Sequence, residues 1–170
     1  SPHTSPPHHP RVWTSVPCLA ALQVIELQRR FDGKKIVLGI DRMDYIKGIP
    51  HKLLAMERLL EQHPEHVGRV VLLQIAVPTR SEVPEYQKLR AATHQLVGRI
   101  NGRFSQPGGY APVHYLDTSI PFTELVALYA VAKTCVVSSL RDGMNLVAYE
   151  YTACQEGGPD AGVLVLSEFA

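Results

Sequence analysis

The sequence predicts an α/β fold, a parallel sheet with helices on both faces. Three observations carry this. The β-branched runs are apolar throughout rather than alternating, as strands buried on both faces are. Amphipathic stretches of helical spacing separate them, which is the pattern of βαβ units. Pro50, Pro84 and Pro121 stand where helices open, positions at which a missing N–H costs nothing.

Each element follows in order. Residues 19–30 carry apolar side chains at helical spacing and end in the turn Phe31-Asp32-Gly33. Residues 35–40 form a short β-branched run, the first strand. A helix opens at Pro50 and sets Leu53, Met56 and Leu60 on one stripe. Residues 69–76 are almost continuously apolar, the second strand. A third helix runs from Pro84 toward Gly98, and residues 113–116 make the third strand. A helix from Pro121 carries Leu125, Leu128 and Val131 and leads to a strand at 134–138. A helix at 144–155 and a strand at 162–166 complete the pattern.

The 170 residues suffice for one domain with a sizeable core, assigned to residues 18–170. Residues 1–17 read as a disordered or atypical leader, rich in Pro and His, and no spacing among His3, His8 and His9 fixes a metal geometry. Starting at Ser1 and stopping at Ala170 just after an apolar strand pattern, the chain reads as cut at both ends. With 17 Lys plus Arg against 16 Asp plus Glu, the net charge of +1 makes no broad field to attract nucleic acid or a membrane surface. Any bound anion must be gripped by a few placed groups. No apolar run approaches the roughly 18 residues that span a bilayer. The three cysteines, Cys18, Cys135 and Cys154, lack metal-ligand spacing and suit a reducing cytoplasm as small buried hydrophobes.

In parallel sheets ligands bind beyond the carboxyl ends of the strands, where helix N-termini collect. Three clusters fall there. The first is Gly39-Ile40-Asp41-Arg42-Met43-Asp44-Tyr45-Ile46-Lys47-Gly48-Ile49-Pro50. Arg42 offers a planar fork for phosphate oxygens and Lys47 a point charge, a grip for a diphosphate that needs no metal ion. The same residues read equally well as loop charges, with Asp41 and Asp44 pairing Arg42 and Lys47. The second cluster ends in Val77-Pro78-Thr79-Arg80-Ser81, where Arg80 either holds a second anion or is an ordinary surface arginine.

The third is Ser138-Ser139-Leu140-Arg141-Asp142-Gly143-Met144-Asn145-Leu146-Val147-Ala148-Tyr149-Glu150. Asp142 can accept from sugar hydroxyls, and Gly143 lets a ligand approach the backbone. The N–H groups of Met144, Asn145, Leu146 and Val147 read as a helix start that binds anions and hydroxyls. Glu150, about 9 Å along that helix, is placed for ribose hydroxyls and should be partly buried with a partner. The plainer reading is an N-cap at Asp142 and a surface Glu150. No G-x-G-x-x-G follows the first strand and no P-loop is present, so neither fingerprint is supported.

These clusters, together with Leu73-Gln74-Ile75-Ala76 before the second and Val97-Gly98-Arg99-Ile100-Asn101-Gly102-Arg103-Phe104 between the second and third, resemble in order the trehalose-6-phosphate synthase family of retaining glycosyltransferases. The resemblance covers residues from about 31 to 170. It implies the C-terminal, donor-binding, Rossmann-like half of a GT-B fold, with the N-terminal GT-B domain absent. By the resemblance, Arg42 and Lys47 contact the diphosphate of UDP-glucose, and Asp142 with residues 143–147 holds the glucosyl group and phosphates. Arg42, Lys47 and Asp142 carry the catalytic role, Glu150 takes the ribose, Arg80 the phosphate of glucose 6-phosphate, and residues 117–121 the uracil. The implied reaction transfers glucose, with retention, to glucose 6-phosphate, giving α,α-trehalose 6-phosphate and UDP. It implies no cofactor and no metal, a cytoplasmic location, and room for an oligomer or a synthase/phosphatase complex. This stretch alone would supply the donor site and turn over nothing measurable. Two alternatives stay open: a synthase-like regulatory subunit or sugar-phosphate sensor without catalysis, and a related glycosyltransferase with another phosphorylated acceptor.

Overall fold

The computed structural model of the chain describes residues 18–156 and 161–170; the predicted leader, 1–17, lies outside them. Helix α1 (Cys18–Arg30) precedes β1 (Lys35–Arg42), α2 (Ile49–Gln62), β2 (Val70–Val77), α3 (Pro84–Phe104) and β3 (Val113–Leu116). Then come α4 (Phe122–Val131), β4 (Thr134–Val137), α5 (Leu146–Gln155) and β5 (Val163–Leu166). The five strands form one sheet of order β3-β2-β1-β4-β5, and each neighbouring pair is parallel. The predicted fold class and all five strands are found.

Strand β2 shows why the pattern is continuous rather than alternating. Val71, Leu73 and Ile75 pack into one buried cluster with Leu128 and Tyr129 of α4, Tyr151 of α5 and, partly buried, Leu27 of α1. Val70, Leu72 and Ala76 pack into a second cluster with Leu53, Met56 and Leu60 of α2 and Leu89 and Ile100 of α3. Both faces of the strand are therefore covered.

Three elements differ from the sequence expectation by two residues or more. Strand β1 continues two residues past Ile40, through Asp41 and Arg42, because β2 pairs with it as far as Arg42–Val77 and Asp41 is buried with a partner. Helix α3 passes through Gly98 and Gly102 to Phe104. Both glycines lie on its exposed face, where a Cβ would meet only open space, while Leu89, Thr93 and Ile100 stay buried. Helix α5 begins at Leu146, not Met144, because the side chain of Asn145 caps it by accepting from the N–H of Ala148.

The strand order reverses at β1. From β1 the chain steps outward to β2 and β3, then crosses back to β4 and β5 on the other side. The β1–β4 ladder holds only at Val37–Thr134 and Leu38–Cys135. Beyond it the loops after β1 and β4 face each other at the point where such sheets bind ligands.

Candidate functional site

The loop after β1 is shaped by its own residues. Asp44 turns the chain by accepting from the N–H of Ile46 at 3.2 Å, and Tyr45–Lys47 form a single 3-10 turn. Gly48 closes it at φ 66°. A Cβ at Gly48 would meet the carbonyl oxygen of Ser138, so the loop after β4 packs directly on this glycine. Leu140 donates its N–H to the Ile46 carbonyl at 2.7 Å, and the Ser138 hydroxyl donates to the carbonyls of Lys47 and Gly48, each at 3.1 Å. The third wall comes from the segment after β5. Ser167 donates its hydroxyl to the Ser139 carbonyl, and Asp142 its N–H to Phe169.

Between these loops Lys47 Nζ donates to Asp142 Oδ2 at 2.7 Å, both side chains about nine-tenths buried. The same oxygen accepts from Asn145 Nδ2 at 2.9 Å and from Ser139 Oγ at 3.1 Å. The hydrogen bond from Lys47, with those from Asn145 and Ser139, outweighs burial and holds the Asp142 carboxyl at about 2, below its ordinary 3.8. Asn145 thus caps α5 with its oxygen and ties Asp142 with its nitrogen. All three donors converge on Oδ2; among the described residues Oδ1 accepts none.

A depressed carboxyl stabilises the fold above its unfolded value and loses that contribution as pH falls through the folded value. The Asp142 contribution, on the order of 2 kcal/mol, is therefore complete above about pH 4 and lost toward about pH 2. The stability difference between the wild-type chain and Asp142→Asn, read by urea titration at several pH values, should shrink across that window. A difference that stays constant to pH 2 would remove the Lys47–Asp142 bond as its cause.

The loop-charge alternative for the first cluster does not describe this arrangement. Asp41 pairs with Lys52 of α2 at 2.6 Å, Asp44 serves the turn, and Lys47 reaches a residue 95 positions away. Arg42, at the end of β1, is exposed and forms no salt bridge among the described residues. The expected helix start is corrected as well. Met144 and Asn145 belong to the entry loop, and only Leu146 and Val147 of the predicted set lie in the first turn of α5. Glu150 is then one turn in, about 6 Å from Leu146.

Glu150 is more exposed than its neighbours suggested, yet it has the expected partner: Tyr129 of α4 donates its hydroxyl to Oε2 at 2.8 Å. Burial pushes the Tyr129 hydroxyl well above the ordinary range, and Glu150 adds to this, so it remains a donor. Sequence reasoning missed Tyr129; the available signal was a phenol in an apolar helix, which needs a polar partner when buried.

Arg80 follows β2 in left-handed backbone at φ 47°. Its Nη1 donates to the Tyr86 hydroxyl at 3.1 Å, and its guanidinium lies 5.6 Å from that ring's centre. Asp117, first of the stretch 117–121, is drawn to α3 by Arg90 and by His94 at 3.3 Å. A cavity of about 350 Å³ lies there, bordered by Met43, Thr79, Tyr86, Arg90, His94 and Asp117. Cys135 is fully buried, which pushes its thiol up to about 12, and Cys154 is partly buried; both fit the expected role of packing groups. Among the described residues no three His, Cys, Asp or Glu side chains gather as a metal site, and no helix is long and apolar enough to cross a membrane.

The sheet order, the reversal at β1 and the loops meeting beyond it define a Rossmann-like α/β domain, and the solved structures it resembles are of the GT-B type. The chain belongs to glycosyltransferase family 20, whose model matches residues 20–170. It is 57% identical over 148 residues to alpha,alpha-trehalose-phosphate synthase (UDP-forming) 1 of Aspergillus fumigatus, covering 87% of this chain and 28% of that one. It superposes with a TM-score of 0.81 and 37% identity on the E. coli trehalose-6-phosphate protein bound with UDP-2-fluoro glucose, covering 89% of this chain and 35% of that one. On the Burkholderia xenovorans alpha,alpha-trehalose-phosphate synthase (UDP-forming) in complex with glucose-6-phosphate, the values are 0.83 and 38%, covering 91% and 35%. The chain spans 18–30% of the length of the curated relatives it matches.

Proposed function

We propose that this chain forms the UDP-glucose site of a retaining glucosyltransferase that makes α,α-trehalose 6-phosphate and UDP from UDP-glucose and glucose 6-phosphate. The observation that carries the reading is the Lys47–Asp142 bridge across the β1–β4 reversal, set beside the first turn of α5. A cation and a carboxylate held together there have separate tasks once a nucleotide sugar arrives. Lys47 exchanges Asp142 for a phosphate oxygen, and Arg42 supplies a forked contact to the same diphosphate. The N–H groups of Leu146 and Val147, orphaned at the start of α5, add donors and the positive end of the helix dipole.

Asp142, released on one side but still held by Ser139 and Asn145, accepts from glucosyl hydroxyls. Gly143, the exposed Met144 and the half-buried Asn145 bring backbone against the sugar. Arg80 takes the acceptor phosphate. The bond from the glucosyl anomeric carbon to UDP breaks as the acceptor's anomeric hydroxyl oxygen adds on the same face, its proton passing to the departing diphosphate oxygen. Arg42 and Lys47 stabilise the negative charge that develops on the departing diphosphate. No metal ion enters this reading, and its setting is the cytoplasm. Acceptor contacts beyond Arg80 are assigned to a partnering N-terminal GT-B domain, and a larger oligomer or synthase/phosphatase assembly fits the same scheme.

Glu150 provides the test. Its carboxylate, oriented by Tyr129, accepts from ribose hydroxyls, and charged acceptors make the stronger bonds. Glu150→Gln should weaken UDP binding about five- to ten-fold by calorimetry, and 2′,3′-dideoxy-UDP should bind both proteins alike. Equal UDP affinity would leave Glu150 a surface residue.

A further inference from the structure

Arg80 is held by an aromatic bracket. A non-glycine residue in left-handed backbone persists only where its surroundings fix it. Val83 fixes the main chain by donating its N–H to the Arg80 carbonyl at 2.9 Å. Tyr86, in the first turn of α3, fixes the side chain: its hydroxyl accepts from Nη1, and its ring lies within cation–π range of the guanidinium.

Tyr86 is itself braced from the opposite loop. Its ring meets the edge of Tyr45 at 5.8 Å and 77°, and the Tyr45 hydroxyl donates to the carbonyl of Glu85, the residue before Tyr86. Tyr45 opens the 3-10 turn whose last residue is Lys47. A second tie runs parallel, from the Thr79 hydroxyl to the Met43 carbonyl at 2.7 Å. The loops after β1 and β2 are thus fastened on both sides of Arg80.

We propose that Tyr86, braced by Tyr45, is the positioning residue that sets the Arg80 guanidinium in one frame with the Lys47 loop, so that the acceptor phosphate is received at a fixed offset from the donor diphosphate. This rests on the function proposed above. Arginine has many rotamers and no acceptor of its own. A phenol beneath it removes that freedom before the anion arrives and leaves the remaining guanidinium N–H groups to bind it. The exposed position of Arg80 is consistent with a group held out for a ligand rather than used in packing.

The test follows the Arg80 side-chain Nε–H signal in the isotopically labelled chain during titration with glucose 6-phosphate, which NMR reads even when binding is weak. In the wild-type chain the signal should carry a ring-current shift and move saturably. Tyr86→Leu should abolish the ring-current shift and weaken binding about ten-fold. Tyr86→Phe keeps the ring and fills the same space; it should retain the shift and bind with intermediate affinity. Tyr45→Leu keeps the Tyr86 side chain but removes its brace, and should broaden the Arg80 signal. Amide signals of the Lys47 loop report that each variant is folded. If Arg80→Ala binds glucose 6-phosphate as the wild-type chain does, or the wild-type Arg80 signal does not respond, Arg80 is not the phosphate group and the proposal falls with that assignment. If Arg80→Ala loses binding while both Tyr86 variants bind as wild type, the assignment of Arg80 stands and positioning by Tyr86 is overturned.

Discussion

Lys52→Met is expected to destabilise the chain by about 3–5 kcal/mol, the cost of leaving one member of a buried ion pair without its partner. The Lys52 and Asp41 side chains are each 2% exposed, with Nζ 2.6 Å from Oδ2. Gln74 of β2 donates to the same oxygen at 3.0 Å. The three meet over Gly39, where a Cβ would collide with both Gln74 and Lys52, so the backbone of β1 leaves the space they use. Asp41 precedes Arg42, and the pair therefore pins the strand end from which Arg42 projects and the first turn of α2 that follows the diphosphate loop. Asp41→Leu alone should cost a similar amount by leaving the ammonium buried. The double variant Asp41→Leu/Lys52→Met should recover much of the loss, because neither charge remains to be desolvated. Chemical denaturation of the four proteins reads the coupling; simple additivity of the two losses would show that the groups act separately.

Arg42→Ala should do the opposite, leaving the fold alone and removing the ligand grip. Arg42 is exposed and forms no salt bridge among the described residues, so its loss should move stability by no more than about 0.5 kcal/mol. UDP affinity, by contrast, should fall about 100-fold, equivalent to about 2.7 kcal/mol, because a forked contact to a diphosphate is lost. Arg42→Lys should restore part of this, keeping the charge and losing the fork. Calorimetry with UDP checks both variants; unchanged affinity in Arg42→Ala would remove it from the site.

Strands buried on both faces are largely apolar, and that constraint made β1 and β2 readable as unbroken apolar runs, whereas β5 reads the same way but stands largely exposed at the sheet edge. The helices were readable from their periodicity and from Pro50 and Pro84. What escaped was set by contacts far apart in the chain. Asp41 and Arg42 look like loop residues until Lys52 is seen to bury Asp41. Gly98 and Gly102 look like a helix end until the opposite face of α3 is seen packed. Asn145 and Asp142 are both plausible caps, and only the geometry shows Asn145 taking the helix while Asp142 turns to Lys47.

The candidate site divides in the same way. Residue types and their order in the motifs marked Arg42, Lys47, Arg80, Asp142 and Glu150 through resemblance. Their partners were invisible, because Tyr86, Tyr129 and Ser139 are ordinary residues whose roles depend on where α3, α4 and β4 come to rest. Phenols carry little sequence signal, since a tyrosine on a packed helix is more often core than a brace.

A crystal structure of the chain with UDP bound tests the central claim most directly. The account predicts the diphosphate at the β1–β4 reversal, contacted by Arg42 and Lys47, with Lys47 parted from Asp142 and the N–H groups of Leu146 and Val147 turned toward phosphate oxygens. Uridine nucleotide seated elsewhere, or a diphosphate that leaves Lys47 on Asp142 and Arg42 in solvent, would contradict it.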